Sequence, residues 1–278
     1  MIKTILVGID SSEHSRNAQV FAFSLARRFG ATLHGLHVVD IVSIEGSFFH
    51  DISGSLGLEP YLDFSSRMRE VLTERGHTVL EEFQAAAARE RLPAETHLDI
   101  GIVPNQLCER AKIADLVMIG HHGVNERFST GLLGSTAESV ARKCPRPLMI
   151  SPRPFREVRR LALAYDGSER AARAMRAAAE FAVELKVPLA VATAARDPKL
   201  GERVLGEART YLQGYPAETS FELLGGHAHE EIVRFLNRTE TDLLFIGAYG
   251  HSRIIEMVLG STTEYVLRNS PCPVFLSR

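Results

Sequence analysis

The chain has 278 residues, of which 45% are hydrophobic and 24% charged, and Lys plus Arg (32) nearly balance Asp plus Glu (34). This composition is typical of a packed globular protein and excludes an intrinsically disordered chain. A formal net charge of −2 argues against a protein that holds nucleic acid mainly by neutralising phosphates. The net charge therefore leads us to expect no nucleic acid as a partner. No apolar run approaches the ~20 residues of a membrane span, so we also expect no membrane as a partner.

The cysteines and the first residues of the chain indicate in which cellular compartment the protein is found. Cys108, Cys144 and Cys272 form no CxxC pair, and their odd number gives no disulfide framework. The opening sequence reaches Asp10 too early for the apolar core of a signal peptide. We therefore expect a cytoplasmic protein.

The first half of the chain predicts alternating strands and helices. An apolar run at 5–9 predicts a buried strand, and Ser11 or Ser12 can cap the next helix, which ends at Gly30. The further elements, in chain order, are a strand at 32–39, a long helix around 68–83, a strand at 96–102, a helix at 105–112, a strand at 116–119, a helix at 135–142 and a strand at 147–151. Within the long helix, Gly76 is a candidate kink.

The second half repeats the first. Residues 132–151 and 258–277 are identical at ten of twenty aligned positions, and the Pro-Ala-Glu-Thr of 93–96 recurs at 216–219. We infer a tandem duplication, which predicts one domain at 1–152 and a second at 157–278. The first copy is longer because of a Gly- and Ser-rich insertion at about 40–60, which the sequence leaves open as a lid or a plain loop.

Strands that alternate with helices imply right-handed crossovers and a parallel sheet. The predicted fold class is therefore α/β, with two repeated doubly wound domains of five strands and helices on both faces. The last strands, 147–151 and 273–277, are apolar and end their domains. We expect them to meet across a pseudo-twofold axis, so that the chain is an internal pseudo-dimer, and two chains can pair further as a homodimer.

Ligands of such sheets bind beyond the carboxyl ends of the strands. In the second copy the loop after the fourth strand has the pattern Gly247-x2-Gly250-x9-Gly260-Ser261. Glycines let a backbone approach a ligand closely, and a helix N-terminus favours an anion. The chain has no GxxxxGK[ST] motif, so this is not a Walker-type loop. The alternative is that these glycines only close turns and cap helices.

These motifs resemble the universal stress protein family in its tandem form. The resemblance rests on the Gly-x2-Gly-x9-Gly-Ser string, on Asp-Gly-Ser at 166–168 and on Ser-Pro-Cys-Pro-Val at 270–274, and it covers nearly the whole sequence. It implies the strand order 3-2-1-4-5 in each domain. It also implies ATP, with a Mg or Mn ion, as the ligand of the nucleotide-binding members.

Carried over residue by residue, the resemblance places Asp166 at the adenine or ribose end of the nucleotide and the backbone of Ala194 beside the base. It places Gly247 and Gly250 beside the ribose and the phosphate chain. The phosphates would be bound by Gly260, Ser261 and Thr262. In the first copy the same places fall on Asp10, Val38, Gly120, Gly123, Gly134, Ser135 and Thr136. The first copy has ten residues rather than nine between its second and third glycine, and Ser11 replaces a glycine. The motif therefore favours the second copy, and the first is kept as a second site.

The leading hypothesis is a cytoplasmic ATP-binding stress-response protein that senses nucleotide and passes its state to protein partners of unknown identity. One alternative is a slow ATPase or a phosphoryl or nucleotidyl transferase, so the question of enzymatic activity stays open. Another is an interaction module with one or both sites empty. His121, His122 and His251 are interpreted as phosphate donors or exposed loop residues, and Arg127 and Arg253 as phosphate partners or solvated charges. No metal ligands are assigned.

Overall fold

The computed structural model describes residues 2–41, 59–123, 133–152, 155–248 and 259–277, with the backbone alone at 59–65. Most of the predicted insertion at 40–60 lies outside these ranges. The strands are β1 (Thr4–Gly8), β2 (Thr32–Asp40), β3 (Ala94–Gly101), β4 (Leu116–Gly120), β5 (Leu148–Ser151), β6 (Leu161–Ala164), β7 (Leu189–Ala194), β8 (Thr219–Leu224), β9 (Leu243–Gly247) and β10 (Val274–Ser277).

The helices are α1 (Glu13–Phe29), α2 (Glu59–Arg89), α3 (Val103–Arg110), α4 (Ser135–Lys143), α5 (Glu169–Leu185), α6 (Pro198–Leu212), α7 (Ala228–Arg238) and α8 (Ser261–Asn269). A 3-10 turn, Ala111–Ile113, follows α3. Among the helices of the described ranges, none combines the length and the apolar character that crossing a bilayer requires.

The described strands form one ten-stranded sheet in the order β3-β2-β1-β4-β5-β10-β9-β6-β7-β8. Counted within each half, this order is 3-2-1-4-5. Neighbouring strands within each half are parallel. The predicted fold class, with two repeated doubly wound domains, is confirmed. The domain boundaries at 152 and 157 stay a prediction.

The two halves join through their last strands. β5 and β10 pair antiparallel, and Met149 lies opposite Phe275. These two residues are also equivalent in the repeat, because the matching segments 132–151 and 258–277 differ by a constant offset. A residue that pairs with its own equivalent marks a local pseudo-twofold axis. The expectation that these strands meet is confirmed, and the pairing covers two edges that would otherwise be exposed.

Both halves begin their first helix in the same way. Ser12 and Ser168 have φ −73° and ψ 157°, and their hydroxyl oxygens accept from the N–H groups of Ser15 and Ala171. The structure thus selects Ser12, not Ser11, as the cap of α1. Gly30 ends α1 in the left-handed conformation that its sequence position predicts, with φ 61°.

Buried side chains fill both faces of the sheet. One cluster packs against α1, α2, α5 and α6 and the other against α3, α4, α7 and α8, and each cluster contains residues of both halves. Gly76, the candidate kink, lies within the continuous helix α2, where a Cβ would be 2.6 Å from His37 Cδ2 and 2.8 Å from Leu98 Cδ1. This glycine therefore lets α2 approach β2 and β3 closely.

Candidate functional site

A cavity of about 1450 Å³ opens at the carboxyl ends of the strands in the first half. It lies beside β1 and β4, where the strand order reverses, which is the usual ligand position in open α/β sheets. Its lining includes all seven residues that the resemblance assigns to this half, namely Asp10, Val38, Gly120, Gly123, Gly134, Ser135 and Thr136. They come from separate parts of the sequence, and the sheet topology brings them together.

The turn after β1 is closed by Asp10. Its N–H donates to Ser15 Oγ at 2.9 Å, and its Oδ1 accepts from the N–H of Ser12 at 2.8 Å. The second half repeats the turn, with Asp166 Oδ1 accepting from the N–H of Ser168 at 3.0 Å. Oδ2 of Asp10 faces Gly123, where a Cβ would lie 3.2 Å away. One carboxylate oxygen thus serves the fold, and the other faces the cavity.

The N-terminus of α4 forms the opposite wall. Gly134 is the N-cap and provides no side-chain cap; its N–H donates to the carbonyl of His121 at 3.1 Å. By helix geometry, the first N–H groups of α4 have no partner within the helix. Ser135 and Thr136 carry these groups, and both line the cavity. The N–H groups and the helix dipole together suit an anion at this point.

Gly120 and Gly247 are required by packing. A Cβ on Gly120 would lie 2.7 Å from the carbonyl carbon of His14, and one on Gly247 would lie 2.6 Å from the backbone nitrogen of Ala171. Each glycine therefore admits the backbone of the neighbouring helix, α1 or α5. For these two positions, the alternative that the glycines serve the fold has direct structural support.

Sequence reasoning missed one pair of positioning residues. His37 Nδ1 lies 2.8 Å from the carbonyl oxygen of Ile9, and Thr193 Oγ1 donates to the carbonyl of Tyr165 at 2.8 Å. Both pairs fix the end of β1 or β6 against the neighbouring strand. The available signal was a polar residue at equivalent positions of β2 and β7, which is the one polar residue of β7, whereas β2 also carries Thr32, His34 and Asp40.

The second half places its assigned residues at the same edge of the sheet. Ala194 ends β7, Gly247 ends β9, and Gly260 is the N-cap of α8, with Ser261 and Thr262 in the first turn. Residues 249–258, which join β9 to α8, lie outside the described ranges, and so do Gly250, His251 and Arg253. Arg127 in the first half is likewise outside them.

One histidine connects the two halves. His121 follows β4 and is 6% exposed, and its Nε2 lies 2.9 Å from the carbonyl oxygen of Leu267 in α8. In a longer helix this carbonyl would accept from residue 271, but Pro271 has no N–H. His121, whose carbonyl accepts from the N–H of Gly134, therefore contacts the last turn of α8.

None of the three cysteines, all within the described ranges, is in a disulfide. Cys144 and Cys272 are buried, and burial raises the pKa of Cys272 to about 12, which keeps this thiol protonated at neutral pH. The structure thus supports a packing role for Cys272.

The fold and the cleft define a tandem doubly wound α/β protein with a cavity at the strand ends of its first half. The model of the universal stress protein family matches residues 1–152 and 194–278, so the chain belongs to this family and is a stress-response protein. It is 29% identical over 291 aligned residues to the universal stress protein Slr1230 of Synechocystis sp., covering 100% of both chains. It is also 31% identical over 153 residues to a universal stress protein of Thermus aquaticus, covering 54% of this chain and 98% of the relative.

Among solved structures, a universal stress protein from Archaeoglobus fulgidus has a TM-score of 0.72 at 23% identity. The superposition covers 99% of this chain and 98% of that one. At this level of identity the likeness establishes the fold. Both halves of the chain, in the ranges that the structure describes, therefore share the architecture of a solved family member.

Proposed function

We propose that the chain is an adenine-nucleotide-binding regulator that takes ATP with a divalent ion in the cleft of the first half. The observation that carries the proposal is that the seven residues assigned through the family resemblance all lie in the lining of one cavity. Membership of the universal stress protein family supports the same reading. Protein partners would sense the difference between the empty and the filled cleft.

The phosphates would lie at the N-terminus of α4. The N–H groups and hydroxyls of Ser135 and Thr136 are the donors available there, beside the backbone at Gly134. Backbone N–H groups at a helix end bind phosphate without a large basic patch. This mode of binding fits a chain whose formal net charge is only −2.

The nucleoside would lie toward β1 and β2. Oδ2 of Asp10 would accept from a ribose hydroxyl, and Val38, at the end of β2, offers an apolar contact to the base. The cavity of about 1450 Å³ exceeds the ~300–1000 Å³ of ordinary ligand pockets, so a nucleotide with its ion and solvent can be accommodated.

A second site in the second half is part of the proposal. Asp166, Ala194, Gly247, Gly260 and Ser261 lie at the corresponding strand and helix ends. The loop spacing of this half matches the family motif more closely, whereas the described lining is more complete in the first half. We therefore expect at most two ATP molecules per chain.

The test uses an exposed residue at the first position of α4. Ser135→Asp places a negative charge where helix geometry favours one, so the fold is retained, whereas the same charge opposes a phosphate. Calorimetric titration should show ATP affinity reduced at least tenfold at this site, while the neutral variant Ser135→Asn stays close to the wild type. Ser261→Asp makes the same test in the second half. ATP binding that is absent in the wild type, or unchanged in the double Asp variant, would refute the proposal.

A further inference from the structure

Away from the cleft, β2 and β3 bring together three side chains that can ligate a metal. His34 on β2 lies opposite Glu95 on β3, and His97 follows two residues along β3 on the same face. Their ligand atoms all lie within 4.8 Å of one another. His34 Nδ1 is 3.2 Å from His97 Nε2 and 3.6 Å from Glu95 Oε2.

We propose that His34, Glu95 and His97 form a binding site for a divalent transition-metal ion of the zinc class. Zinc takes imidazole nitrogens and carboxylate oxygens at about 2.0–2.2 Å in a tetrahedral arrangement, which puts two ligand atoms about 3.3–3.5 Å apart. The separations of 3.2 and 3.6 Å lie close to this value on either side. Three protein ligands leave the fourth position to water, as in an open zinc site.

In the structure, the imidazole rings of His34 and His97 are placed to form a hydrogen bond with each other. The rings are 2° from parallel with centroids 5.5 Å apart, while their facing nitrogens are 3.2 Å apart, which puts both nitrogens on the line between the centroids. One nitrogen donates its hydrogen to the other. A metal ion would replace this hydrogen once the imidazoles tilt about χ2 to turn both lone pairs toward one point, and the nitrogen–nitrogen distance need hardly change.

The charged groups near the three ligands favour a cation at this position. The Glu95 side chain is 65% exposed and that of His34 is 14% exposed, so the carboxylate is in contact with solvent while the imidazole of His34 is largely covered. The neighbouring guanidinium of Arg110 is held by both oxygens of Asp99, at 2.7 and 2.8 Å. Because Asp99 neutralises Arg110, the charge of Glu95 remains available to the ion.

This site is distinct from the cleft. His34, Glu95 and His97 are not among the residues that line the cavity, and the nearest lining residue of β2 is Leu36, two residues or about 7 Å along the strand from His34. In the second half, the positions in the same register are Ala190, Ser220 and Glu222. Only one of these is a metal-ligating residue, so the proposal concerns the first half alone.

The test is a zinc titration of the full chain in the absence of nucleotide, followed by competition with a chromophoric chelator. His34→Gln and His97→Gln should each weaken zinc binding at least tenfold, since loss of a direct ligand costs no less than the 10- to 100-fold that loss of an outer partner costs. His77→Gln, on the exposed side of α2, is the matched control and should bind as the wild type does.

Two further measurements separate ligation from folding. Zinc should raise the melting temperature of the wild type and of His77→Gln but not of the other two variants, whose metal-free melting temperatures should match the wild type. Cobalt substituted for zinc should give the visible absorption of a tetrahedral ion, which His97→Gln loses. No zinc binding by the wild type, or equal affinity in His34→Gln and the wild type, would overturn the proposal. The titration contains no nucleotide, so its result is independent of the proposed ATP site.

Discussion

Three glycines of this chain have different physical roles. Gly134 is the N-cap of α4, at the point where we propose that phosphates bind. Gly247 leaves room for the backbone of α5. Gly206 lies in α6, where a built Cβ has no described atom within 4 Å apart from its chain neighbours and the adjacent backbone of its own helix. The sequence identifies all three as glycines, but only the neighbours of each Cα decide whether a side chain could be added.

This difference predicts opposite effects of the same substitution. Gly247→Ala forces a methyl group against the backbone at Ala171 and should lower the free energy of unfolding by about 1–3 kcal/mol. Gly206→Ala, in a helix interior with open space, should raise it by about 0.5–1 kcal/mol. Urea unfolding followed by circular dichroism measures both. Equal stability of Gly247→Ala and the wild type would contradict the packing role.

At the scale of elements, the helix ends could be predicted from the sequence, whereas the registers of the strands could not. The sequence narrowed the first cap to Ser11 or Ser12 and predicted the end at Gly30, because capping depends on residues adjacent in the chain; the structure selects Ser12. The sequence did not predict register. The Pro-Ala-Glu-Thr segments at 93–96 and 216–219 match in sequence, yet Leu33 N–H donates to the carbonyl of Pro93 whereas the equivalent Leu189 N–H donates to that of Glu218. The two segments are therefore displaced by two residues in the sheet.

The end of α8 depends on the other half of the chain. His121 satisfies the Leu267 carbonyl, so His121→Ala leaves this buried acceptor without that donor and should lower the free energy of unfolding by about 1–3 kcal/mol. His77→Ala, at an exposed position of α2, should change it by less than about 0.5 kcal/mol. Urea unfolding of both variants makes the comparison, and equal effects would show that the contact contributes nothing.

At the scale of the whole molecule, the antiparallel pair of β5 and β10 turns two five-stranded sheets into one. Phe275 lies opposite Met149, and its ring is 4.8 Å from that of Phe245 and 5.7 Å from that of Phe181, between centroids. The ring of Phe29 in the first half is 4.8 Å from Phe181. Because the apolar clusters are shared, we expect the two halves to unfold together.

Phe275→Ala should therefore destabilise the whole chain, by about 3–5 kcal/mol, whereas Leu200→Ala, at a side chain 45% exposed, should have little effect. The chain has no Trp and six Tyr, of which five follow residue 157, so tyrosine fluorescence reports mainly on the second half and far-ultraviolet dichroism on both. The two signals should give one coincident transition in wild type and variant. Separate transitions would show that the halves unfold independently.

The sequence by itself determined the order of strands and helices and the duplication, because hydrophobic period, capping and repeated segments can be recognised over short stretches of chain. The seven residues assigned to the cleft came from the resemblance to a known family. Tertiary structure alone decided that Asp10, Val38 and Gly134 line one cavity, that Gly120 admits a helix, and that His34 faces His97. Such contacts depend on which strands become neighbours and in which register, and a register shift of one residue would turn every side chain to the other face.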